Sequence, residues 1–216
     1  MNLLTEFLEL LYPTCCPACG EVTDPKTVWC EACLRPLWNP RLINSSFTDH
    51  LSGCYTLCNY EGAIRKCLIQ LKYNGRVGQK RVFPPLLEKF PWWDRLESCD
   101  LVMPVPLSQK RRKERGYNQT DKIFQAWLTS HGWCYVPEGL VRFRNTHVQS
   151  LLSKQERYDN IKGAFHISPT VDVKGKIVLV VDDIYTTGAT LEAVAHELKR
   201  AGADKVMGLT VASGAS

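Results

Sequence analysis

At residues 176–190 the sequence reads KIVLVVDDIYTTGAT. The first part, Lys176 to Val181, is a run of β-branched and aliphatic residues, which is typical of a strand buried on both faces of a parallel sheet. Residues 190–200 then place apolar side chains at helical spacing, and Gly202 follows as a stop signal. A second strand-like segment, Lys205 to Val211, completes a strand–helix–strand unit. This order predicts an α/β domain with a mainly parallel sheet.

The segment after the first strand combines carboxylates with phosphate-binding groups. Asp182 and Asp183 are expected at the carboxyl end of the strand, the edge of an open parallel sheet where ligands bind. Hydroxyl groups, a glycine and the N–H groups of a helix start follow and can cradle a phosphate. These residues are Thr186, Thr187, Gly188, Ala189 and Thr190. Because the carboxylates can bind ribose hydroxyls or help hold hydrated Mg(II), the segment predicts a sugar-phosphate site.

Length and composition restrict the class of protein. The chain has 216 residues, of which 44% are hydrophobic and 23% are charged, and this balance excludes a disordered or fibrous protein. No segment approaches the ~20 apolar residues of a membrane span, so an integral membrane protein is not expected. The N-terminal residues 1–12 carry Glu6 and Glu9 without a basic segment, which predicts a cytoplasmic protein with no secretory signal. Their apolar spacing predicts an amphipathic helix that packs on its own chain, with a membrane-surface helix as the alternative.

Four of the ten cysteines form a pattern typical of a metal site. Cys16 and Cys19 make one C-x2-C pair, and Cys30 and Cys33 make a second pair after a gap of ten residues. Two such turns that face each other offer four thiolates in a tetrahedral arrangement, which favours a structural Zn(II) ion. A redox-active dithiol and an iron–sulfur site are the competing interpretations. We interpret the adjacent Cys15 as a bystander.

Positive charge is concentrated in the larger part of the chain. Residues 1–52 hold three basic and six acidic residues, whereas residues 53–216 hold 24 basic and 16 acidic residues, a net charge of +8. The densest basic segments are 65–81 and 110–115. They indicate an anionic partner, either a phosphate-rich small molecule or a nucleic acid. For segment 110–115, a solvated face is the alternative interpretation.

The remaining pattern predicts the domain organisation. Residues 34–52 contain two prolines and little periodicity, so we interpret them as a linker or boundary. The expected division is a helix and a four-cysteine zinc module over residues 1–47 and an α/β domain over residues 53–216. Further expected elements are a strand at Cys54–Tyr60, a helix at Gly62–Lys72, a strand at Asp100–Val105, a helix at Gly116–Ser130 and a strand at Val136–Phe143.

The order of these motifs resembles one known family. Residues 178–190 resemble the phosphoribosyl pyrophosphate (PRPP) signature of type I phosphoribosyltransferases. With the paired C-x2-C motifs, PVP at 104–106 and KRRKERGYNQ at 110–119, nearly the whole chain is similar to the ComF family. The resemblance implies a cytosolic bacterial protein with a small N-terminal zinc module and a type I phosphoribosyltransferase-like domain. Members of that family serve DNA uptake during natural transformation.

The resemblance also implies roles for individual residues. Asp182 and Asp183 would bind the ribose hydroxyls of PRPP, directly or through Mg(II), and would be the catalytic residues of a transfer reaction. Residues 186–190 would hold the 5-phosphate. The other implied contacts are Lys110 and Arg115 with pyrophosphate, and Gln149 and Arg157 of a mobile hood over the substrate. Apart from the resemblance, the basic charge of segment 110–115 makes Arg111, Arg112 and Lys113 candidate contacts with single-stranded DNA.

One departure from the fold's enzymes bears on catalysis. Purine-recycling members carry an acidic residue where this chain has Thr186, which argues against that reaction, whereas orotate-type enzymes also carry threonine there. Because this departure leaves catalysis open, the main functional hypothesis follows from the resemblance as a whole. It is a PRPP-binding competence protein that acts in the uptake of transforming single-stranded DNA into the cytoplasm. A competence helicase and other uptake proteins are its candidate partners. The alternatives are a Mg(II)-dependent phosphoribosyltransferase with an unidentified acceptor and a structural zinc adaptor.

Overall fold

A computed structural model describes residues 12–44, 49–73, 77–143 and 163–214. The expected N-terminal helix and the hood residues Gln149 and Arg157 lie outside these ranges. The helices are α1 (Glu31–Leu34), α2 (Gly62–Tyr73), α3 (Pro84–Glu88), α4 (Gln109–Arg115), α5 (Gln119–Ser130) and α6 (Ala189–Arg200), with 3-10 turns at Val77–Val82 and Asp94–Leu96. The strands are β1 (Trp38–Ile43), β2 (Cys54–Asn59), β3 (Leu101–Pro104), β4 (Leu140–Arg142), β5 (Phe165–Ile167), β6 (Ile177–Tyr185) and β7 (Lys205–Ser213).

Five of these strands form one sheet in the order β1-β2-β7-β6-β3. The pairs β2·β7, β7·β6 and β6·β3 are parallel, and only the edge strand β1 runs antiparallel to its neighbour. Strands β4 and β5 form a separate antiparallel pair. The predicted α/β class with a mainly parallel sheet is confirmed.

The side chains of β6 pack against helices on both faces of the sheet. Successive side chains of a strand point to opposite faces, so Leu179 and Val181 pack on the face of α2 and α5, while Val178 and Val180 pack on the face of α6. All four side chains are fully buried. Each such aliphatic side chain contributes about 1.5–3 kcal/mol through burial. The continuous apolar run is therefore required by a strand that has no solvent-facing side.

The interpretation of residues 34–52 as a linker is wrong for part of that range. Trp38–Ile43 forms β1 and pairs with β2, for example Ile43 with Cys54. Its side chains are mostly half-exposed, as expected at the edge of a sheet, and the two prolines nearby obscure the alternation. The division into residues 1–47 and 53–216 stays a prediction, with β1 hydrogen-bonded to the main sheet.

The basic segment 110–115 and the helix after it are two helices rather than one. Ser108 accepts a hydrogen bond from the Arg111 N–H at 3.4 Å and begins α4, which ends at Gly116 with φ 78°. Asn118 then caps α5 by accepting from the Thr120 N–H at 3.1 Å. A left-handed glycine between two caps turns the chain sharply. The predicted helix at Gly116–Ser130 therefore starts three residues later, at Gln119.

A buried carboxylate anchors the segment before β2 to α6. Glu192, 2% exposed, accepts hydrogen bonds from the backbone N–H groups of Asp49, His50 and Leu51, each at 3.1 Å. The His50 ring nitrogen Nδ1 also lies 2.8 Å from the Oε1 atom of Glu192. These contacts satisfy a buried acid with backbone donors, so Glu192 has a structural role outside the candidate site.

Within the described residues, no helix has both the length and the apolar character needed to cross a bilayer.

Candidate functional site

A cleft opens where β6 continues beyond the end of β3. The last β3 pair is Pro104 with Val181, after which the Val105 N–H donates to the Val181 carbonyl at 2.9 Å and the chain leaves the sheet. On its other side β6 stays paired with β7 as far as Tyr185. Asp182 and Asp183 therefore lie inside the strand, not after it, because the longer β7 keeps this segment extended. They stand at the edge that β3 leaves open.

Five chain segments contribute side chains to the cleft. They are the end of α2, the turn before α4 with α4 itself, the start of α5, β4, and the end of β6 with the turn and first residues of α6 that follow it. The polar lining consists of Lys72, Ser108, Arg111, Arg115, Gln119, Arg142, Asp182, Asp183, Thr186 and Thr190. Four cations against two carboxylates favour a ligand with several negative charges.

Asp183 is the better paired of the two acids. It is 4% exposed and forms an ion pair with the Lys72 ammonium, while the Gln119 side-chain amide donates to its Oδ1 atom at 3.3 Å. Burial by itself would raise the pKa of Asp183, but the adjacent Lys72 charge and these hydrogen bonds lower it below the ordinary value. The same pairing outweighs burial for Lys72 and raises the pKa of its ammonium. This acid is therefore ionised in the folded protein.

The surroundings of Asp182 shift its pKa in the opposite direction, upward. Its Oδ1 atom accepts from the Thr120 hydroxyl at 3.3 Å and from the Asp183 N–H at 2.8 Å. Burial and the neighbouring negative charge of Asp183 raise the pKa of Asp182 to about 8. Adjacent acids with separated pKa values are typical of functional sites. A bound cation or hydroxyl donor at this position would favour the ionised form of Asp182.

A chain of contacts links the acids to the basic loop. The Arg115 guanidinium donates to the Gln119 side-chain oxygen, so Gln119 bridges Arg115 and Asp183. The same guanidinium lies 5.3 Å from the centre of the Tyr73 ring. The Tyr117 hydroxyl donates to the Leu71 carbonyl and holds the last turn of α2 against this region. The ends of α2 and α4 and the start of α5 are thus positioned as one unit.

The predicted phosphate loop has the backbone form that its sequence requires. Gly188 has φ 81° and precedes α6, whose first intrahelical bond runs from the Glu192 N–H to the Gly188 carbonyl at 2.9 Å. Thr186 is exposed and Thr190 is half-buried, and both line the cleft. Thr187, Gly188 and Ala189 complete the turn. The start of α6 therefore faces the cleft, where a helix N-terminus favours an anion.

Replacement of Gly188 by alanine is expected to destabilise this turn. A left-handed φ costs an L-residue about 1–2 kcal/mol, and a Cβ atom at Gly188 would lie 2.8 Å from the Cζ atom of the buried Tyr185 side chain. We expect a loss of about 2–3 kcal/mol in the free energy of unfolding, measured by urea denaturation. Gly214→Ala is the matched control, because among the described residues no heavy atom beyond its chain neighbours lies within 4 Å of the added Cβ. Equal stabilities of the two variants would contradict the prediction.

The basic segment divides between cleft and solvent. Arg111 and Arg115 line the cleft. Lys110 is exposed beside Glu114, with 4.0 Å between Nζ and Oε1, and lies outside the cleft lining. Arg112 pairs with Glu138 at 3.2 Å on the surface, and Lys113 is exposed. The predicted roles of these side chains stay predictions. Arg111, predicted to contact DNA, lines the same cleft as Asp182 and Asp183.

Other cleft residues had no role from the sequence. They are Lys72, Gln119, Thr120 and Arg142. Burial and the nearby Arg111 charge lower the pKa of the Arg142 guanidinium, which also lies 5.5 Å from the Phe165 ring. No local signal predicts these contacts, because Lys72 and Arg142 come from elements far from β6 in the sequence. For Gln119 and Thr120, the position directly after a helix-capping asparagine is the signal that could have indicated a site-facing helix start.

The four cysteines of the paired motifs come together in a separate cluster. The sulfur atoms of Cys16, Cys19, Cys30 and Cys33 all lie within 4.8 Å of one another. The neighbouring thiols of Cys30 and Cys19 raise the pKa of Cys33 to about 12. Four thiolates so close together need a divalent cation to offset their repulsion, so the arrangement fits a closed metal site.

The cluster is integrated into the main core. Cys16 is 2% exposed and belongs to the same apolar cluster as Trp29 and Leu34 on one side and Ile64 on the other. The Trp29 indole N–H donates to the Val82 carbonyl at 2.8 Å. A metal at the cysteines would therefore also support the contact between this module and the α/β sheet.

Comparison with known proteins identifies related sequences. Residues 140–216 match the family model described as "Phosphoribosyl transferase domain". The chain is 31% identical over 202 residues to "DNA utilization protein YhgH" of Escherichia coli strain K12, covering 89% of this chain and 81% of the relative. It is 27% identical to "Competence protein F" of Haemophilus influenzae, over 88% of this chain and 81% of the relative. It is 28% identical to "Competence protein ComFC" of Bacillus subtilis, over 87% of this chain and 72% of the relative.

Proposed function

Because the chain belongs to the ComF family, a family of competence and DNA-utilisation proteins with a phosphoribosyltransferase-like domain, we propose that it binds PRPP through its cleft and acts in DNA uptake. The observation that carries the PRPP proposal is the convergence of three features on one cleft. These are a carboxylate pair, a phosphate-binding helix start and four cationic side chains. PRPP carries the matching groups, namely vicinal hydroxyls, a 5-phosphate and a diphosphate.

Each part of the ligand has a proposed partner in this chain. Asp182 and Asp183 accept hydrogen bonds from the ribose hydroxyls. The backbone of residues 186–190 and the Thr186 and Thr190 hydroxyls donate to the 5-phosphate. Arg111 and Arg115 bind the diphosphate. Carboxylate oxygens are ligands that suit Mg(II), so the acids also fit a magnesium ion, which would neutralise diphosphate charge when bound.

Calorimetric titration of the wild-type protein with PRPP, with and without Mg(II), tests this proposal. We expect saturable binding with one site per chain, stronger with Mg(II), and weaker binding of ribose 5-phosphate because it lacks the diphosphate. An absence of heat and of any PRPP-dependent rise in melting temperature would refute the proposal, since a ligand that binds the folded state must stabilise it.

The cysteine cluster is proposed to hold structural Zn(II). Four protein ligands close the coordination shell, so the ion would stabilise the fold and leave no open position for chemistry. Such thiol-rich sites persist in a reducing compartment, which supports the proposed cytoplasmic location. The competence helicase and other uptake proteins stay the proposed partners.

Single-stranded DNA is the proposed macromolecular ligand. The exposed face of α4 carries Arg112 and Lys113 outside the cleft, and no residue of this helix is buried. Tyr117 lies next to this helix and has a Lys122 ammonium 5.9 Å from its ring centre. Basic side chains beside an aromatic ring are typical of surfaces that track single strands.

The salt dependence of DNA affinity measures the contribution of this face. Each phosphate contact to a single strand contributes about −0.7 to the slope of log K against log salt. The double variant Arg112→Ala with Lys113→Ala removes two such contacts. The slope, measured with labelled oligothymidine, is therefore expected to become less negative by about 1.4. The matched control is Lys174→Ala with Lys205→Ala, two exposed lysines at the opposite, amino-terminal edge of β6 and β7. An unchanged slope in the first variant would refute binding by α4.

Phosphoribosyl transfer is the second candidate function. Arg111 and Arg115 line the same cleft as the carboxylates, where they would stabilise charge on a departing pyrophosphate. The C1–O bond of PRPP would break with its electron pair leaving on pyrophosphate, and a nucleophilic acceptor would form the new bond to C1. Release of pyrophosphate in the presence of candidate acceptors tests this, and its absence with all nucleobases would favour a binding function alone.

A further inference from the structure

We propose that Lys72 is a selectivity residue that pairs with Asp183 before the ligand binds and turns to the ligand's diphosphate when PRPP enters the cleft. The inference rests on the proposed PRPP site and adds a requirement to it. A ligand must supply an anionic group beside the ribose in order to draw Lys72 away from Asp183. Ribose 5-phosphate, which has no diphosphate, must then compete with Lys72 for the carboxylate.

The contact that Lys72 makes stands at the position needed for the ribose. Its ammonium pairs with the Oδ2 atom of Asp183, and the two side chains are 18% and 5% exposed. The other oxygen, Oδ1, already accepts from Gln119. A ribose hydroxyl or a magnesium ion that approaches Asp183 therefore meets the atom occupied by Lys72. A magnesium ion and the ammonium repel each other at one oxygen, and a ribose hydroxyl competes with the ammonium for the lone pairs of that oxygen, so binding favours displacement of the ammonium.

The cleft gives the displaced ammonium a region to which it can turn. Lys72 lines the same cleft as Arg111 and Arg115, the two side chains proposed to bind the diphosphate. A lysine carries its charge on a flexible four-carbon stem, so the ammonium can move several ångströms without movement of the backbone. The diphosphate would replace Asp183 as its counter-ion, and Asp183 would then be free for the ribose.

The backbone around Lys72 is held in place on both sides. The Leu71 carbonyl accepts from the Tyr117 hydroxyl, and the Tyr73 ring lies under the Arg115 guanidinium at 5.3 Å. These contacts join the end of α2 to α4 and α5, which carry the anion-binding side chains. The geometry therefore favours a side-chain movement of Lys72 over a movement of the helix.

The test compares two ligands in a Lys72→Gln variant. Glutamine can still donate a hydrogen bond to Asp183, so the buried carboxylate keeps a partner, but it brings no charge to a diphosphate. Loss of a charge-assisted contact corresponds to about a tenfold to hundredfold weaker affinity, which we expect for PRPP with Mg(II). Ribose 5-phosphate should bind unchanged or more tightly. Calorimetry gives both constants, and the ratio between the ligands is the readout.

Two further variants separate selectivity from structure. Lys66→Met changes an exposed lysine on the same helix and should leave both affinities at the wild-type value. Lys72→Arg keeps the charge and should keep the preference for PRPP; it also carries the test if Lys72→Gln does not fold. Equal losses for both ligands in Lys72→Gln, or loss of the preference in Lys72→Arg, would overturn the inference alone. Failure of the wild-type protein to bind PRPP would overturn the proposed function as well.

Discussion

If the cysteine cluster holds Zn(II) as proposed, Cys16→Ser is expected to lower the melting temperature by about 10 °C or more and to abolish metal binding. Structural zinc binding supplies roughly 10–16 kcal/mol in small metal-folded domains, and loss of one of four ligands removes several kcal/mol of it. For a chain of this size, 1 kcal/mol corresponds to about 2–4 °C. The effect extends beyond the module because Cys16, Trp29 and Leu34 pack in the same cluster as α2. Metal content by atomic emission and a calorimetric melt measure both effects.

Cys15→Ser is the matched control for the metal ligand. Cys15 is adjacent in sequence, but its sulfur contacts only the Pro13 carbonyl among the described hydrogen-bond partners, at 3.5 Å, and it is not a member of the four-cysteine cluster. This variant should keep one equivalent of metal and the wild-type melting temperature. Loss of metal from Cys15→Ser, or a stable metal-free Cys16→Ser protein, would contradict the assignment of the ligands.

Asp182→Asn combined with Asp183→Asn is expected to weaken PRPP binding by about 100-fold or more and to abolish the effect of Mg(II). Each hydrogen bond to a charged group is worth about 1.5–3 kcal/mol, so the loss of two accepting carboxylates exceeds about 3 kcal/mol. The amides also present donors where the ribose hydroxyls need acceptors. Calorimetric titration with PRPP gives the affinity and its dependence on Mg(II).

The single variants and a control distinguish binding from stability. Asp183→Asn leaves the buried Lys72 without its counter-ion, so it should also lower the free energy of unfolding. Asp182→Asn should cost little stability, because an asparagine keeps an Oδ1 acceptor for the Thr120 hydroxyl and the Asp183 N–H. Asp204→Asn removes an exposed acid at the opposite edge of the sheet and should change neither property. A double variant that binds PRPP normally would refute the role of both acids.

The features predicted correctly from the sequence share a local origin. The strand at β6, the helix α6 and the strand β7 follow from periodicity within a dozen residues of chain. The four cysteines of the cluster follow from spacing within two tight turns. The segment of β1 was missed because an edge strand buries few side chains and leaves a weak periodic pattern.

The composition of the cleft has a different origin. Asp182 and Asp183 lie in the cleft at the edge that β3 leaves open, and their role there stays a prediction. The sequence does not show that β6 extends past β3, since that depends on which strands become neighbours. Packing of α2 and β4 beside the main sheet also brings Lys72 to Asp183 and Arg142 to the cleft from distant elements. The orientation of α4 places Arg111 and Arg115, four residues apart on one helix, along the cleft, while Lys110 is exposed outside it.

Local spacing along the chain was therefore enough to identify a parallel α/β fold and a four-cysteine cluster. Those features depend on backbone preferences and side chains within a few residues of one another. Other features arise only when α2, α4, α5, β4 and β6 pack together. They are the hydrogen-bond partners of each acid, the number of cations that line the cleft, and the pairing of Lys72 with Asp183. Contacts between elements that are distant in sequence leave no periodic signal, so they become visible only in the folded chain.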